Sequence, residues 1–410
     1  MKVSSKRILQ YALFIFLISA GGCASHKANS HSSAVSFEYD NGQVKERNLI
    51  VEGVPVFWGH QIIGADLARQ FMLNLKTQKT EVAIVDSGFG DAESVKTKPE
   101  PVAFHGRATT SLIKHAAYGV AGVVDVKFQH TYESGAGFQQ FLRKIRKDRV
   151  DLLQMAMSEM DAQAPLDLEL IKTTKSTPTI IAAGNAENSV VSKADRATKA
   201  ILVGCMARDE SVCAYSRSAK FEKGLSGVLI LAPGEPGVIT DFIDPGTPFG
   251  ATSAAAAMTA GAIANVISIL GPLTPEQAHE ILKRTAIPLA SSPNGENRGH
   301  GYGLLNAYKL VRVAARVQTH MEQELHSKSA KDRQKLLLAT LRNSHTYDFD
   351  EEARRTLEEA KAVFFEKSSK NPLDPRTARA FNLARVSFFL NPNQESKEFL
   401  NNMQTLVTQL

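Results

Sequence analysis

The sequence predicts an α/β fold: three layers with a mostly parallel central sheet covered on both faces, followed by a small C-terminal all-helical region. Three observations carry this. Short, near-continuous runs of Val, Ile and Leu recur from about residue 54 to residue 313, as expected of strands buried on both faces. Amphipathic segments with helical periodicity lie between those runs, the alternation that builds a parallel sheet. From about residue 315 the composition shifts to Ala, Leu, Glu, Lys and Arg, with turn signals at NSHTYD, KNPLDP and LNPNQ.

In chain order the strand candidates are VAIVD at 82–86, GVVDVKF at 122–128, DLLQMAM at 151–157, TPTIIAAG at 177–184, AILVGCM at 200–206 and VLILAPG at 228–234. Helices fit at 105–118, 137–147, 252–270 and 274–286. In the second, Phe138, Phe141, Leu142 and Ile145 share one face, so the basic cluster Arg143–Arg149 is most simply its wet side. Beyond residue 315, Leu357, Ala360 and Phe364 mark one helical face, and Phe381, Ala384, Arg385 and Phe388 another. A helical cap is the simpler reading of that region and a protein-binding bundle the alternative; no clean internal repeat is found.

At 410 residues, with 43% hydrophobic and 22% charged residues and 16 prolines, the chain is long enough for a large core and has no room for extensive disorder. The N-terminus is different. Lys2, Lys6 and Arg7 precede an apolar run from Ile8 to Ile18 and then the small residues before Cys23, the pattern of a signal peptide too short to span a bilayer comfortably. Without residues 1–22 the formal net charge falls from +6 to +3, which weakens any case for nucleic-acid binding. Small residues directly before Cys23 resemble a bacterial lipobox, implying lipidation of that cysteine; ordinary cleavage near Ala24 is the alternative. The expected organisation is a signal peptide at 1–22, a lipid-anchored polar tether at 23–53, a catalytic domain at 54–314 and the helical region at 315–410. Lipidation implies an exported protein anchored to the bacterial cell envelope, and Ala24 after the cysteine resembles the outer-membrane destination, facing the periplasm or the surface.

Of the three cysteines, Cys205 and Cys213 flank the polar turn ARDES. They either pair across a hairpin, which an oxidising compartment would permit, or serve as two small apolar strand residues.

Four segments in order carry the chemistry: Asp86 in VAIVDSGFG, His105 in AFHGRATTSLI, Asn185 in IIAAGNAEN and Ser253 in FGATSAAAAMTAGA. Acyl transfer by a serine needs a nucleophile, a base, a group that orients the base, and donors for the developing oxyanion. Ser253 opens an Ala-rich helix whose N-terminus favours negative charge. Asp86 ends an apolar strand, where open α/β sheets place their sites, and could hold the imidazole of His105 in one tautomer. The Asn185 amide could donate to the oxyanion together with the Ser253 N–H.

The ordered segments VAIVDSG, HGRATTSLI, AAGN and ATSAAAAMTAGA resemble those of the subtilisin-like serine peptidases, over about Trp58 to Val313. WGHQIIGADLA, ILAPG and LTPEQAHEILKRTA followed by GYGLLNAYKLV resemble further stretches of that family. The resemblance implies a serine endopeptidase acting through an acyl-enzyme, with Asp86, His105 and Ser253 as the triad and Asn185 with Ser253 as the oxyanion hole. It also implies a substrate-binding strand at Gln154, Met155, Ala156, Met157 and Ser158, with a protein or peptide as substrate. No cofactor is expected: no acidic cluster has a calcium-loop spacing and His60, His115 and His279 lack metal-ligand spacing, so a structural Ca²⁺ on the scattered ligands that this family uses is an open alternative without support in the sequence.

The chain departs from the pattern in places. Arg107 and Ala108 replace the family's Thr and second His, Ala251 replaces the Gly before Thr-Ser, and Ala257 replaces a Pro. Ala156, Met157 and Ser158 replace Ser-Leu-Gly, with acidic Glu159 following. A positive φ at Ala251 would crowd the nucleophile turn. The alternative function is therefore a catalytically impaired pseudopeptidase acting as a binding or scaffold lipoprotein. The roughly 35 residues between Cys23 and Trp58 are too few for a folded prodomain.

Overall fold

The computed structural model describes residues 49–51, 54–56, 58–89, 105–115, 119–122, 124–131, 135–156, 168–185, 199–207, 210–213, 216, 228–234, 238–240, 247–289, 301–324, 329–365 and 375–408. Two compact units are present, one spanning Phe57–Tyr347 and the other comprising residues 1–56 and 348–410.

In the larger unit, helices α1 (Trp58–Ile62) and α2 (Ala65–Met72) lead into strand β3 (Thr80–Asp86). Then come α3 (His105–Lys114), β4 (Val124–Thr131), α4 (Ala136–Lys147), β5 (Leu152–Met155), α5 (Leu168–Ser176), β6 (Thr179–Ala182), β7 (Ile201–Met206) and β8 (Ile230–Pro233). The six strands form one sheet in the order β4-β3-β5-β6-β7-β8, and every pairing is parallel. The expected three-layer α/β fold is the one observed. A small antiparallel pair that the sequence reading did not anticipate, β9 (Val238–Thr240) with β10 (Thr247–Phe249), precedes the core helix.

Strand alternation divides the apolar side chains between the two faces. Ala83, Val85, Leu153, Met155, Ile181 and Leu202 pack on Phe138, Leu142 and Ile145 of α4 and Leu170 of α5. The exposed basic residues of α4 are its solvent side. Helix α6 (Ala251–Leu270) is buried along its length from Thr252 to Leu270. It is long and apolar enough to cross a membrane, yet it is fully enclosed, as the central helix of the core. Its polar side chains are satisfied inside: Asn265 donates to the Val120 carbonyl at 2.9 Å and accepts from the Gly122 N–H at 2.8 Å.

Helix α7 (Pro275–Thr285) starts with a full capping box between Thr274 and Gln277 and a proline in its first turn, the sequence signature of LTPEQ made physical. Helix α8 (Ala307–Glu324) runs through the expected boundary at residue 315, burying Val313, Ala314 and Val317. Helix α9 (Ala330–Arg342) follows, with Arg333 donating to the Leu270 carbonyl at 3.2 Å and Gln277 donating to Gln334 at 2.8 Å. These contacts carry the larger unit past residue 315 to Tyr347, whose hydroxyl donates to the Leu341 carbonyl at 2.8 Å.

In the smaller unit, β1 (Leu49–Val51) pairs with β2 (Val54–Val56), and three helices, α10 (Asp350–Phe365), α11 (Pro375–Leu390) and α12 (Gln394–Thr408), form the all-helical region. Asp350, Glu351 and Glu352 occupy the first turn of α10, where the helix dipole favours negative charge. Leu357, Ala360 and Ala384 are buried, and the Ser387 hydroxyl donates to the Ala353 carbonyl at 2.8 Å.

Candidate active site

The carboxyl ends of three adjacent strands, β3, β5 and β6, bring Asp86, Ala156 and Asn185 side by side, the edge where open parallel sheets place their sites. Asp86 is fully enclosed, and its charge is met by convergent donors. Oδ1 contacts His105 Nδ1 at 2.5 Å and accepts from the Ser87 backbone N–H at 2.6 Å; Oδ2 accepts from the Thr109 hydroxyl at 2.8 Å. A buried carboxylate is tolerable only with such pairing.

His105 opens α3 and can come this close because the next residue is glycine. The Gly106 N–H bonds the Gly88 carbonyl at 2.7 Å, and a side chain at 106 would put Cβ 2.5 Å from that same oxygen and 2.9 Å from Asp86 Cβ. Phe249 packs edge-on against the imidazole with ring centroids 5.1 Å apart. With Nδ1–H donated to Asp86, Nε2 carries the free lone pair.

Ser253, 4% exposed, lies in the first turn of α6. Its hydroxyl donates to the Ala156 carbonyl at 3.0 Å, and no hydrogen bond joins it to His105 among the described residues. The Thr252 hydroxyl and N–H both donate to Asn185 Oδ1, at 2.8 and 3.1 Å. With its oxygen so engaged, the amide of Asn185 turns its NH₂ elsewhere. Gly184 N–H in turn donates to the Thr252 hydroxyl at 3.2 Å.

Ala251, just before Thr252, has φ 63°, a left-handed conformation that L-residues with a Cβ avoid. Its N–H bonds the Gly234 carbonyl. Of the two readings open for Cys205 and Cys213, the structure has the pair joined in a disulfide with Cα atoms 5.4 Å apart.

The expected substrate strand needs correction at two positions. Gln154 and Met155 pair with β3 on one side and β6 on the other, and their side chains are enclosed, so neither offers a free edge to a substrate. Both amide atoms of Gln154 are buried without a hydrogen-bond partner among the described residues. Among the described residues of this group, Ala156 reaches the site through its carbonyl. Met157, Ser158 and Glu159, like Cys23, lie outside the described residues. Ser87, Thr109, Thr252 and Phe249 are parts of the site that the sequence reading missed; the signal for Thr109 was its position one helical turn after His105. No group of three or more His, Cys, Asp or Glu side chains among the described residues could hold a metal ion.

A parallel α/β sheet with an acid–imidazole pair at its carboxyl edge and a serine at the start of its central helix is a subtilisin-like architecture. Residues 102–303 match the model of the subtilase family, so this part of the chain is subtilase-like. No curated protein sequence matches the chain. Among solved structures, similarity extends to a cold adapted subtilisin-like serine proteinase, 18% identical with 57% of this chain and 90% of that one covered and a TM-score of 0.43. The prenylagaramide maturation protease PagA is 17% identical, with 60% and 97% covered and a TM-score of 0.47. The A-subunit of the AB5 toxin from E. coli is 20% identical, with 63% and 99% covered and a TM-score of 0.47.

Proposed function

We propose that this protein is a serine endopeptidase, exported and held at the bacterial envelope by a lipid on Cys23. The observation that carries the activity is the enclosed Asp86 carboxylate bonded to His105 Nδ1 and steadied by Ser87 and Thr109. That arrangement fixes one tautomer and leaves Nε2 as the base.

A peptide bound along the site competes for the Ala156 carbonyl through a backbone N–H, and the Ser253 hydroxyl then swings to His105. Ser253 Oγ attacks the scissile carbonyl as its proton passes to Nε2. The oxyanion takes the Ser253 N–H and the free NH₂ of Asn185, an electrostatic contribution of about 3–4 kcal/mol per donor. The imidazolium, stabilised by Asp86, protonates the leaving amine. Water activated by the same nitrogen then frees the acyl-enzyme.

The second reading, a pseudopeptidase with a binding or scaffold role, draws on the Ser253 hydroxyl bonding Ala156 rather than His105 and on the positive φ of Ala251. Labelling of the folded protein with a fluorophosphonate separates the two. The peptidase reading expects one covalent adduct, absent from Ser253→Ala; a folded protein that takes no label removes that reading and leaves the scaffold.

A further inference from the structure

Ala251 holds its unfavourable φ immediately before the nucleophile, and such a conformation persists only where the surroundings over-determine it. The surroundings come from two adjacent strands. Gly234 follows β8; its N–H bonds the Met206 carbonyl at 3.2 Å and its own carbonyl accepts from Ala251 N–H. A Cβ at 234 would lie 2.3 Å from the Ala251 oxygen and 2.9 Å from Cys205 Sγ. Gly234 is thus a bare backbone whose missing side chain would meet both the Ala251 carbonyl and the disulfide sulfur.

The disulfide closes a small loop, with a sequence separation of 8, so it restrains the unfolded chain less than a long-range bridge would. The hairpin it crosses is also held without it, by Cys213 N–H to the Cys205 carbonyl at 3.0 Å and Ala207 N–H to the Ser211 carbonyl at 2.8 Å. Ser216 caps the same spot, its hydroxyl accepting from Cys205 N–H at 3.1 Å. What the bridge adds is local. It fixes the rotamer of Cys205, and hence the sulfur against which Gly234 rests.

We propose that the Cys205–Cys213 disulfide is a positioning element for the nucleophile, bracing Gly234 so that Ala251 stays left-handed and Ser253 keeps its place in the first turn of α6. Without the bridge the sulfur turns away, Gly234 gains room and Ala251 relaxes, rotating the first turn of α6. In its kinetic form this rests on the peptidase reading; in its structural form it does not.

The experiment is a double-mutant cycle between Cys213→Ala, which keeps the Cys205 sulfur but frees it to turn away, and Ala251→Gly, which makes the left-handed turn easy without a brace. Releasing a left-handed alanine corresponds to an about 5- to 30-fold slower fluorophosphonate labelling of Ser253 in Cys213→Ala. In the Ala251→Gly background the same loss of the bridge is expected to slow labelling by no more than about 2-fold. A bridge that merely stabilised the domain would slow both backgrounds alike; equal effects, or wild-type labelling in Cys213→Ala, overturn the proposal.

If the wild-type protein takes no label, the peptidase reading has failed, and the cycle is read instead from thermal midpoints in a Ser253→Ala protein. There the brace requires that removing Cys213 lower the midpoint less when residue 251 is alanine, whose strain is released with the bridge, than when it is glycine, and additive shifts overturn it. Should Cys213→Ala not accumulate folded, the cycle is run on protein reduced with dithiothreitol. Each disulfide then becomes two thiols while the reductant closes to its cyclic disulfide, and the same outcomes apply.

Discussion

Ala251→Gly is expected to make this protein more stable, which is the reverse of what glycine does inside a helix. At φ 63° an alanine gives up about 1–2 kcal/mol relative to a residue that accepts the left-handed region. Glycine returns roughly 0.5–1 kcal/mol of that through its greater freedom in the unfolded chain, leaving a net gain of about 0.5–1 kcal/mol. For a unit of this size that is a rise in thermal midpoint of about 1–3 °C. The assay is differential scanning calorimetry in a Ser253→Ala background, so that self-digestion does not set the apparent midpoint. Ala254→Gly is the matched control: it lies in the same helix, fully buried, at an ordinary helical position where glycine lowers stability by about 1 kcal/mol. Opposite signs at positions 251 and 254 are the expected result. A midpoint that falls in both variants would show that the turn before Ser253 is unstrained, and would remove the physical basis for the brace.

Asp86→Asn keeps the shape but loses the charge and the tautomer control, so kcat is expected to fall about 10³- to 10⁴-fold with KM little changed, read from steady-state hydrolysis of a peptide substrate. Thr109→Val strips a donor from the enclosed Oδ2 of Asp86 and is expected to lower stability by about 1–3 kcal/mol, measured by urea unfolding. Gln154→Met removes an amide with no partner among the described residues at similar volume, and is expected to raise stability by about 1–2 kcal/mol in the same assay; a drop would mean the amide is satisfied in solution. Hydrogen bonds from Arg146 and then Lys172 hold the Glu169 carboxyl down at about 2 from 4.5. Its pKa is depressed by folding, so its contribution is fully present above about 4.5 and is lost as the pH falls toward about 2. The stability gap between wild type and Glu169→Gln therefore narrows through that window, and a gap independent of pH would contradict the ion pair's role.

The fold was legible because its strands are buried on both faces. Five of the six sheet strands coincide with a buried run such as VAIVD or AILVGC that has no polar side to confuse its reading, whereas the edge strand β4, VDVKFQHT, is only partly buried. Capping chemistry marked the start of α7, and the small residues of TSAAAAMTAGA marked α6. The end of the larger unit was less legible. Helices α8 and α9 have the mixed Ala, Leu, Lys and Arg composition of the helices after residue 348, and composition cannot tell which core a helix joins. That was decided by long-range bonds such as Arg333 to Leu270.

At the site the division has the same cause. Asp86, Asn185 and Ser253 could be found because each stands at the boundary of an element, where local pattern alone exposes it. Gln154 was misassigned because the resemblance gave the whole strand to the substrate, whereas pairing on both sides leaves its backbone no free edge and its side chain is enclosed. The neighbourhood of Ala251 was legible only in part. Its replacement of a family glycine signalled a conflict at one residue, but what makes the conflict tolerable is spread over Gly234 at the end of one strand and Cys205 within the next. A strained residue tells a sequence reader where to look for function. The support that sustains it is non-local, and three residues individually read as a turn, a glycine of APG and half of a disulfide acquire a shared purpose only once the strands are paired.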